Sequence, residues 1–166
     1  LPGNPEKRLL IASASQGEGK SLVAANLAIR YAMEGSRVIL VDADIRTPLS
    51  HKLLDMPGEE EHLYPGLAEY LSAEAAFEEV VHETAIPGLR LIPSGQRARD
   101  PVRLLHSKEL ARLFENIEKV SDVAIFDCPA ILPVVDATVI APYMRGVLVV
   151  VAADDVEVDA VKMALY

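Results

Sequence analysis

The chain has 166 residues, of which 51% are hydrophobic and 25% are charged, and its formal net charge at pH 7 is -9. This length and composition predict one globular domain over residues 1–166, with enough apolar material for a sizeable core. The acidic balance disfavours nucleic-acid binding, which depends on Lys and Arg side chains that neutralise phosphates. The single cysteine excludes an internal disulfide framework and favours a reducing, cytoplasmic compartment.

The first predicted strand covers residues 8–13 and leads into a turn that contains Gly17 and Gly19. A helical pattern follows over residues 20–34, and Gly35 is predicted to end it. Strand, glycine-bearing turn and helix in this order predict a phosphate-binding loop, because glycines let backbone N–H groups face an anion at the positive end of the helix. The motif G-x-x-x-x-G-K-[ST] is incomplete, since Ala14 stands at its first glycine.

Lys20 and Ser21 complete this predicted loop. In such a loop the lysine contacts the β- and γ-phosphates, and the hydroxyl group ligates Mg²⁺. We therefore expect Lys20 to lie outside the core. The helix that follows is predicted to have an apolar face made of Leu22, Val23, Leu27 and Ile29, with small alanines between them that allow close packing on a sheet.

The second predicted strand, residues 38–41, is a continuous apolar run that is followed by Asp42 and Asp44. An uninterrupted run of this kind is typical of a parallel strand buried on both faces. Functional groups gather beyond the carboxyl ends of such strands. Two carboxylates that meet there repel each other unless Mg²⁺ or an arginine lies between them, so the pair predicts a polar site. A helix cap or a solvated turn is the alternative interpretation.

Short helices are predicted over the middle of the chain, at residues 49–54, 66–72 and 74–81. A strand at residues 89–92 follows them. Asp100 and Pro101 then indicate the start of a helix, and an amphipathic helix is predicted over residues 107–119. The segment between the strand and these helices is interpreted either as a solvated loop or as an anion-binding or subunit-contacting patch, because it contains Arg97, Arg99 and Arg103.

The third buried run, residues 123–126, ends in Asp127. An apolar strand that ends in an aspartate is the usual counterpart of a phosphate loop, because the carboxylate holds Mg²⁺. We expect Asp136 to cap a helix over residues 135–144. The last predicted elements are a strand and a helix, at residues 146–152 and 156–165. The alternation predicts five strands in a doubly wound, mostly parallel α/β sheet flanked by helices.

Three strand-end motifs thus occur together: GEGKS at residues 17–21, VDADIR at residues 41–46 and IFDCP at residues 125–129. The combination resembles the bacterial tyrosine kinases, the cytoplasmic ATP-binding domains that control capsule and exopolysaccharide export. The resemblance extends over nearly the whole chain, and it implies a phosphate-loop α/β domain that binds ATP and Mg²⁺.

The second motif carries most of this resemblance. The family's D-x-D-x-R element is matched in full by Asp42, Asp44 and Arg46, and many phosphate-loop proteins lack it. The third motif of the family usually reads D-T-P-P, from which Cys128 and Ala130 depart. We expect no nucleophilic role for this cysteine, because the preceding carboxylate disfavours its thiolate.

The resemblance implies specific roles. It places the nucleotide against Gln16, Gly17, Glu18, Gly19, Lys20, Ser21 and Leu22. It implies catalytic roles for Lys20, Asp42, Asp44 and Asp127. It implies Mg²⁺ ligation by Ser21, Asp44 and Asp127. Asp42 would accept the proton of the tyrosine hydroxyl, although spacing alone leaves open which of Asp42 and Asp44 is the base and which holds the metal.

The same resemblance implies partners. These are a membrane-spanning activator of the polysaccharide co-polymerase kind, further copies of the chain in a ring or dimer, and a tyrosine-bearing protein substrate or the protein's own tail. The activator would hold the domain at the inner face of the plasma membrane. We expect an N-terminal oligomerisation helix, a C-terminal strand and a tyrosine-rich tail to lie outside residues 1–166.

Two other functions stay open at this point. One is an ATP-dependent switch ATPase of the kind that acts in partition and division-site placement. Those proteins carry an extra lysine near the start of the loop, where this chain has Ser15, so the residue disfavours that interpretation. The other is a catalytically weak ATP-binding scaffold of polysaccharide export.

Overall fold

The computed structural model describes residues 8–56, 64–96, 100–134, 136–153 and 156–165. Its strands are β1 (Arg8–Ser13), β2 (Val38–Asp42), β3 (His82–Glu83), β4 (Leu89–Ile92), β5 (Val123–Asp127) and β6 (Gly146–Val150). Within the described residues they form one six-stranded sheet in the order β3-β4-β2-β5-β1-β6. The β3–β4 pairing is antiparallel and the others are parallel, so the mostly parallel α/β fold is confirmed.

Helices lie on both faces of this sheet. They are α1 (Lys20–Met33), α2 (Ser50–Leu53), α3 (Leu67–Leu71), α4 (Phe77–Val80), α5 (Pro101–Leu105), α6 (Lys108–Val120), α7 (Asp136–Ile140) and α8 (Val158–Leu165). In the part of the chain that the structure describes, no helix combines the length and the apolar character that a bilayer span requires.

Helix α1 packs on the sheet through small side chains. The apolar residues that it buries are Ala24, Ala25, Ala28 and Ala32. The predicted face is confirmed except for Leu22, which is 56% exposed: Val23, Leu27 and Ile29 pack against the edge of the core, and the alanines between them are buried. Alanines form the part of α1 that faces the sheet, because a helix with short side chains approaches the strands closely, whereas larger aliphatic residues would hold it away.

Helix α6 covers the opposite face of the sheet. Its buried residues are Leu110, Leu113, Phe114 and Ile117, which confirms the predicted amphipathic pattern. Phe114 packs against Phe126 of β5, with ring centroids 5.3 Å apart, and stacks on Tyr143 at 4.7 Å. These aromatic contacts hold the middle of β5 in place, and β5 ends in Asp127.

The sheet has one strand more than the five that the sequence predicts. Strand β3 pairs antiparallel with β4 at the sheet edge, where His82 aligns with Leu91 and Glu83 with Arg90. Two residues are too few to show the alternation by which strands are recognised. The helix predicted over residues 74–81 is correspondingly shorter and forms only α4.

Two predicted helix boundaries behave differently. The side chain of Asp100 accepts a hydrogen bond from the backbone N–H of Arg103 at 3.1 Å, which confirms the predicted start of α5. The helix predicted over residues 135–144 instead ends at Ile140 and continues as a 3₁₀ turn, Ala141–Tyr143. Pro142 causes this change, because it has no N–H group for an α-helical hydrogen bond.

The predicted arginine-containing segment is only partly described, since Arg97 and Arg99 lie outside the described residues.

Candidate functional site

The carboxyl ends of β2, β5 and β1 lie side by side at one edge of the sheet. Asp42 aligns with Asp127 across the β2–β5 pair, and Asp127 aligns with Ile11 across the β5–β1 pair. Backbone hydrogen bonds continue this order beyond the strands, from Ala43 N–H to the Asp127 carbonyl at 2.8 Å. The structure therefore brings the predicted phosphate loop and the predicted strand-end carboxylates to one place.

The loop between β1 and α1 takes the conformation that its glycines permit. Gly17 and Gly19 have φ angles of 84° and 87°. No atom lies within 4 Å of the position that a Cβ would take at either residue, so glycine is required by backbone conformation rather than by space. Gly19 is the N-cap of α1 and has no side chain to cap the helix. The first N–H groups of α1 are thus left for an anion.

The side chain of Glu18 is buried inside this loop. Its carboxylate accepts hydrogen bonds from the backbone N–H of Ser15 and, at 3.3 Å, from that of Ala152 just beyond β6. Glu18 can therefore contribute to an anion site through its backbone, while its side chain braces the loop from two sides. Sequence analysis missed this role, although an acidic side chain that faced a phosphate would repel it.

The remaining loop residues differ in exposure. The side chains of Gln16 and Leu22 are exposed, and Ser21 is buried at the start of α1. Lys20 is only 8% exposed, and its Nζ donates a hydrogen bond to Asp44 Oδ2 at 3.3 Å. Lys20 therefore belongs to neither apolar core cluster, as expected, but it is buried at the site, because Asp44 supplies the opposite charge that its ammonium group needs there.

Asp44 organises the turn that follows β2. Its Oδ1 accepts hydrogen bonds from the N–H groups of Arg46 at 3.2 Å and Thr47 at 3.0 Å, and its Oδ2 accepts one from the Thr47 hydroxyl at 3.0 Å. The turn is folded around this carboxylate. Asp44 therefore presents to Lys20 an oxygen whose position is fixed by the chain itself.

Asp42 is fully buried beside the first turn of α2. Its Oδ2 accepts hydrogen bonds from the N–H groups of Leu49 at 3.2 Å and Ser50 at 3.0 Å. The pKa of Asp42 is raised to about 7, mainly by burial and then by the charges of Asp127 and Asp44, while the hydrogen bonds from Ser50 lower it. The helix-cap interpretation thus describes part of what Asp42 does, while its pKa near neutrality suits a proton acceptor.

Asp127 is buried, and neither of its carboxylate oxygens has a hydrogen-bond partner among the described residues. Its pKa is raised to about 6, mainly by burial and with a smaller contribution from the charge of Asp44, while nearby Ser21 and Lys20 lower it. The Ser21 hydroxyl lies near enough to influence this carboxylate but outside hydrogen-bonding geometry. A buried carboxylate without partners is unfavourable, and a cation at this position would compensate for it.

The residues present fit a Mg²⁺ ion that is shared with a phosphate ligand. Among the described residues, no three His, Cys, Asp or Glu side chains are arranged to hold a metal by themselves. Mg²⁺ usually takes only one or two carboxylates and completes its shell with water and substrate phosphates. The unpartnered oxygens of Asp127 and the nearby hydroxyl of Ser21 match that requirement.

Cys128 is buried directly after Asp127. Burial raises the pKa of its thiol well above the ordinary value, and the charge of Asp127 raises it further. The thiolate is therefore disfavoured, as the sequence predicts, although burial contributes more than the neighbouring carboxylate. The backbone N–H of Cys128 donates to the Ile11 carbonyl at 3.1 Å, so the residue serves to fix the end of β5 beside β1.

An ion pair that sequence analysis missed joins the turn after β2 to α7. Arg46 Nη2 lies 3.3 Å from Asp136 Oδ1, and the carboxylate is 1% exposed. Asp136 is the first residue of α7 and pairs with Arg46, while its capping of the helix stays a prediction. The two residues lie far apart in the chain, and no sequence signal links them. The only signal is that Arg46 is the arginine of the D-x-D-x-R motif.

Comparisons with known proteins agree with this geometry. A family model described as "AAA domain" matches residues 7–162. Tyrosine-protein kinase CpsD of Streptococcus agalactiae is 33% identical over 98% of this chain and 69% of that protein. The kinase domain of the Escherichia coli tyrosine kinase ETK has a TM-score of 0.89 at 27% identity, over 98% of this chain and 62% of that one.

A more distant likeness shows the fold alone. The cell division ATPase MinD of Pyrococcus furiosus has a TM-score of 0.72 at 24% identity, over 87% of this chain and 58% of that one. A parallel α/β sheet with a phosphate loop that faces strand-end aspartates defines the class of P-loop nucleotide-binding proteins. Within that class, the chain belongs to the bacterial tyrosine-kinase family, which confirms the resemblance drawn from its motifs.

Proposed function

We propose that this chain is the ATP-dependent kinase domain of a protein-tyrosine kinase that acts in capsular or exopolysaccharide synthesis and export. The observation that carries the proposal is the 3.3 Å contact of Lys20 with Asp44 close to the buried carboxylate of Asp127, because it joins the phosphate loop to both strand ends. Family membership supports it, since relatives that match most of the chain are named tyrosine-protein kinases.

The phosphate loop supplies the nucleotide contacts in this proposal. The backbone N–H groups of Gly17, Gly19 and Lys20 would bind the phosphates of ATP, and the ammonium group of Lys20 would exchange Asp44 for the γ-phosphate. Ser21, Asp44 and Asp127 would hold Mg²⁺. When bound, that ion neutralises charge on the phosphates, and most of the rate then comes from positioning and electrostatic stabilisation of a loose transition state.

Asp42 is assigned the proton of the tyrosine hydroxyl. A tyrosine has a pKa near 10, so a carboxylate with a pKa of about 7 accepts the proton as the oxygen–phosphorus bond forms. The hydrogen bonds from Leu49 and Ser50 currently cover Asp42, so the acceptor must displace the start of α2 to reach it. Asp44 is the better metal ligand of the two, because it lies beside Lys20 and therefore close to where the phosphates would bind.

The partners of this proposal come from the family resemblance. They are a membrane-spanning activator of the polysaccharide co-polymerase kind, further copies of the same chain in a ring or dimer, and a tyrosine-bearing protein or the protein's own tail as phosphate acceptor. The activator would keep the domain at the cytoplasmic face of the plasma membrane.

The assignment is tested by phosphotyrosine formation. The full-length protein is incubated with its activator and Mg-ATP, and phosphotyrosine is detected with an antibody. We expect a signal from the wild type and none from Lys20→Met. Arg30→Met is the matched control, because Arg30 is an exposed cation on the same helix that forms an ion pair with Glu34. Intact ATP binding without phosphotyrosine would overturn the kinase assignment.

An ATP-dependent switch is the second candidate, and the MinD-like fold favours it. In that case ATP would change assembly and recruit a partner rather than phosphorylate tyrosine. Ser15, at the position of the extra lysine of that group, argues against it. Light scattering with and without ATP separates the two, since an unchanged particle size would exclude the switch.

A further inference from the structure

The ion pair of Arg46 and Asp136 is only half formed. One bond joins Arg46 Nη2 to Asp136 Oδ1 at 3.3 Å. Arg46 Nε and Asp136 Oδ2 are both buried, and neither has a hydrogen-bond partner among the described residues. One of these atoms is a donor and the other an acceptor, and they belong to the two partners of the same pair. Arginine and carboxylate commonly form two parallel bonds, which here would satisfy both atoms.

This pair connects the two segments that carry the carboxylates of the site. Arg46 lies in the turn after β2, and its backbone N–H donates to Asp44 Oδ1 at 3.2 Å. Asp136 begins α7, at the end of the segment that leaves Asp127. That segment is in turn fixed to β1, since Ile131 N–H donates to the Ser13 carbonyl at 2.8 Å. The pair is therefore a link between the Asp44 turn and the Asp127 segment.

Burial makes the link sensitive to substitution. Asp136 is 1% exposed, whereas the side chain of Arg46 is 36% exposed. A buried carboxylate depends on its cation, and removal of one partner leaves the other charge without compensation. Besides the bond from Ala43 N–H to the Asp127 carbonyl, the Asp44 turn is thus tied to the Asp127 segment by a contact between side chains that lies outside the phosphate loop.

We propose that Asp136 is a positioning residue of the phosphoryl-transfer site. It holds Arg46, and through Arg46 it holds the Asp44 turn at the separation from Asp127 that two ligands of one Mg²⁺ ion require. This inference rests on the proposed function, because it takes Asp44 and Asp127 as ligands of the ion. Asp136 itself touches neither the nucleotide nor the metal in this proposal.

The chain offers a matched control at the opposite edge of the sheet. Arg37 and Asp122, which precede β2 and β5, form an ion pair with bonds of 2.9 Å and 3.2 Å from the guanidinium group. This pair joins the same two strands and has the same residue types, but it lies far from the phosphate loop. Asp122→Ala therefore removes an arginine–aspartate link between β2 and β5 without touching the site.

The test measures how much Mg²⁺ strengthens nucleotide binding. Isothermal titration calorimetry gives the affinity of a non-hydrolysable ATP analogue for the full-length protein with Mg²⁺ and with EDTA. We expect Asp136→Ala to reduce the Mg²⁺-dependent gain by about 10-fold, as is typical when a residue that orients metal ligands is removed. The affinity in EDTA, which depends on the phosphate loop, should change by less than about threefold, and Asp122→Ala should leave both values unchanged.

Arg46 provides the second measurement. If Asp136 acts through Arg46, the double variant Arg46→Ala/Asp136→Ala should lose no more of the Mg²⁺-dependent gain than Arg46→Ala alone. Asp136→Asn retains one acceptor oxygen and should lie between wild type and Asp136→Ala. It also replaces the alanine variant if thermal unfolding shows that the latter does not fold.

Several results would overturn the positioning role. They are an equal loss of affinity with Mg²⁺ and with EDTA, the same loss in Asp122→Ala, and additive losses in the double variant. A wild type whose binding Mg²⁺ does not strengthen would remove the metal assignment and this role together. A wild type that shows the gain but forms no phosphotyrosine would remove the kinase assignment alone and leave the role of Asp136 in place.

Discussion

Two arginine–aspartate pairs lie near opposite ends of β2 and are built differently: Arg37 and Asp122 precede β2 and β5, whereas Arg46 and Asp136 join the turn after β2 to the start of α7. At the amino end, the guanidinium group of Arg37 makes two bonds to Asp122, and the side chains are 60% and 35% exposed. At the carboxyl end, Arg46 and Asp136 share a single bond, and each retains a buried polar atom without a partner among the described residues. The same chemical link is thus complete in solvent and incomplete in the interior.

The difference extends to the groups around each pair. The carboxyl end also contains Asp42 and Asp127, whose pKa values are raised to about 7 and about 6 by burial. Such groups lower the stability of the protein when they are charged, because the folded state solvates them poorly. The amino end therefore serves the fold, whereas the carboxyl end holds buried charge in readiness for a cationic ligand.

Loss of the loop lysine should give the largest effect at the carboxyl end. Lys20→Met removes a charged hydrogen bond to phosphate, and we expect ATP affinity to fall by about 100-fold. The fold should persist, because Asp44 keeps its bonds to Arg46 and Thr47. Calorimetry with ATP measures the affinity and circular dichroism checks the fold. Retained affinity would show that the loop is not the phosphate site.

Neutralisation of Asp127 should separate stability from function. In Asp127→Asn we expect Mg²⁺-dependent phosphorylation to fall by at least about 10-fold, since a metal ligand is lost. We also expect the nucleotide-free protein to become more stable at pH 8 by on the order of 2 kcal/mol, because a buried charge with raised pKa is removed. Denaturant unfolding and an initial-rate assay measure the two effects. A variant that is less stable than wild type at pH 8 would contradict the assignment of Asp127 as an uncompensated charge.

The pH dependence of this stability gain has a definite sign. Between about pH 4 and the folded-state pKa of about 6, native Asp127 retains a proton that the unfolded chain has lost. Its contribution to the free energy of unfolding therefore falls as pH rises through this window. The advantage of Asp127→Asn should be small at pH 4 and full at pH 8. An advantage of equal size at both values would contradict the raised pKa.

The brace inside the loop should have a smaller effect. Glu18→Ala removes the acceptor of the Ser15 and Ala152 N–H groups, and we expect ATP affinity to fall by about 10-fold as the loop loses its fixed shape. Glu18→Gln keeps one carbonyl acceptor and should lose less. Calorimetry with ATP compares the variants. Equal affinity of all three proteins would mean that the brace is irrelevant to the loop.

The amino-end pair should have the smallest effect. Arg37→Ala removes a mostly exposed ion pair, and such pairs contribute about 0–1 kcal/mol to the free energy of unfolding. We expect phosphotyrosine formation to change by less than about twofold and the midpoint of thermal unfolding to fall slightly. An activity loss as large as that of the carboxyl-end variants would erase the distinction between the two ends.

Local patterns predict the framework of the site well. Parallel strands buried on both faces appear as continuous apolar runs, so the ends of β2 and β5 and their aspartates can be located from the sequence. The glycines before Lys20 locate the phosphate loop in the same way. The fold class, the family and the meeting of these elements follow from such signals.

The features that the sequence does not predict depend on contacts between distant residues or on very short elements. Arg46 and Asp136 are 90 positions apart, and nothing local marks them as partners. Strand β3 has two residues, which is too short for a periodic pattern. The hydrophobic pattern of α1 also places Leu22 on the apolar face, although this side chain is 56% exposed and the fully buried contacts come from the alanines.

The geometry of the site depends on the small volume of the alanines on the buried face of α1. Lys20 and Ser21 stand at the start of a helix whose height above the sheet is set by Ala24, Ala25 and Ala28, all of them almost completely buried. Any bulkier residue in that row would lift the helix and carry the lysine and the hydroxyl away from the strand-end carboxylates, besides the usual overpacking cost of about 1–3 kcal/mol. The small volume of these alanines thus keeps the lysine and the hydroxyl close enough to the carboxylates to act with them.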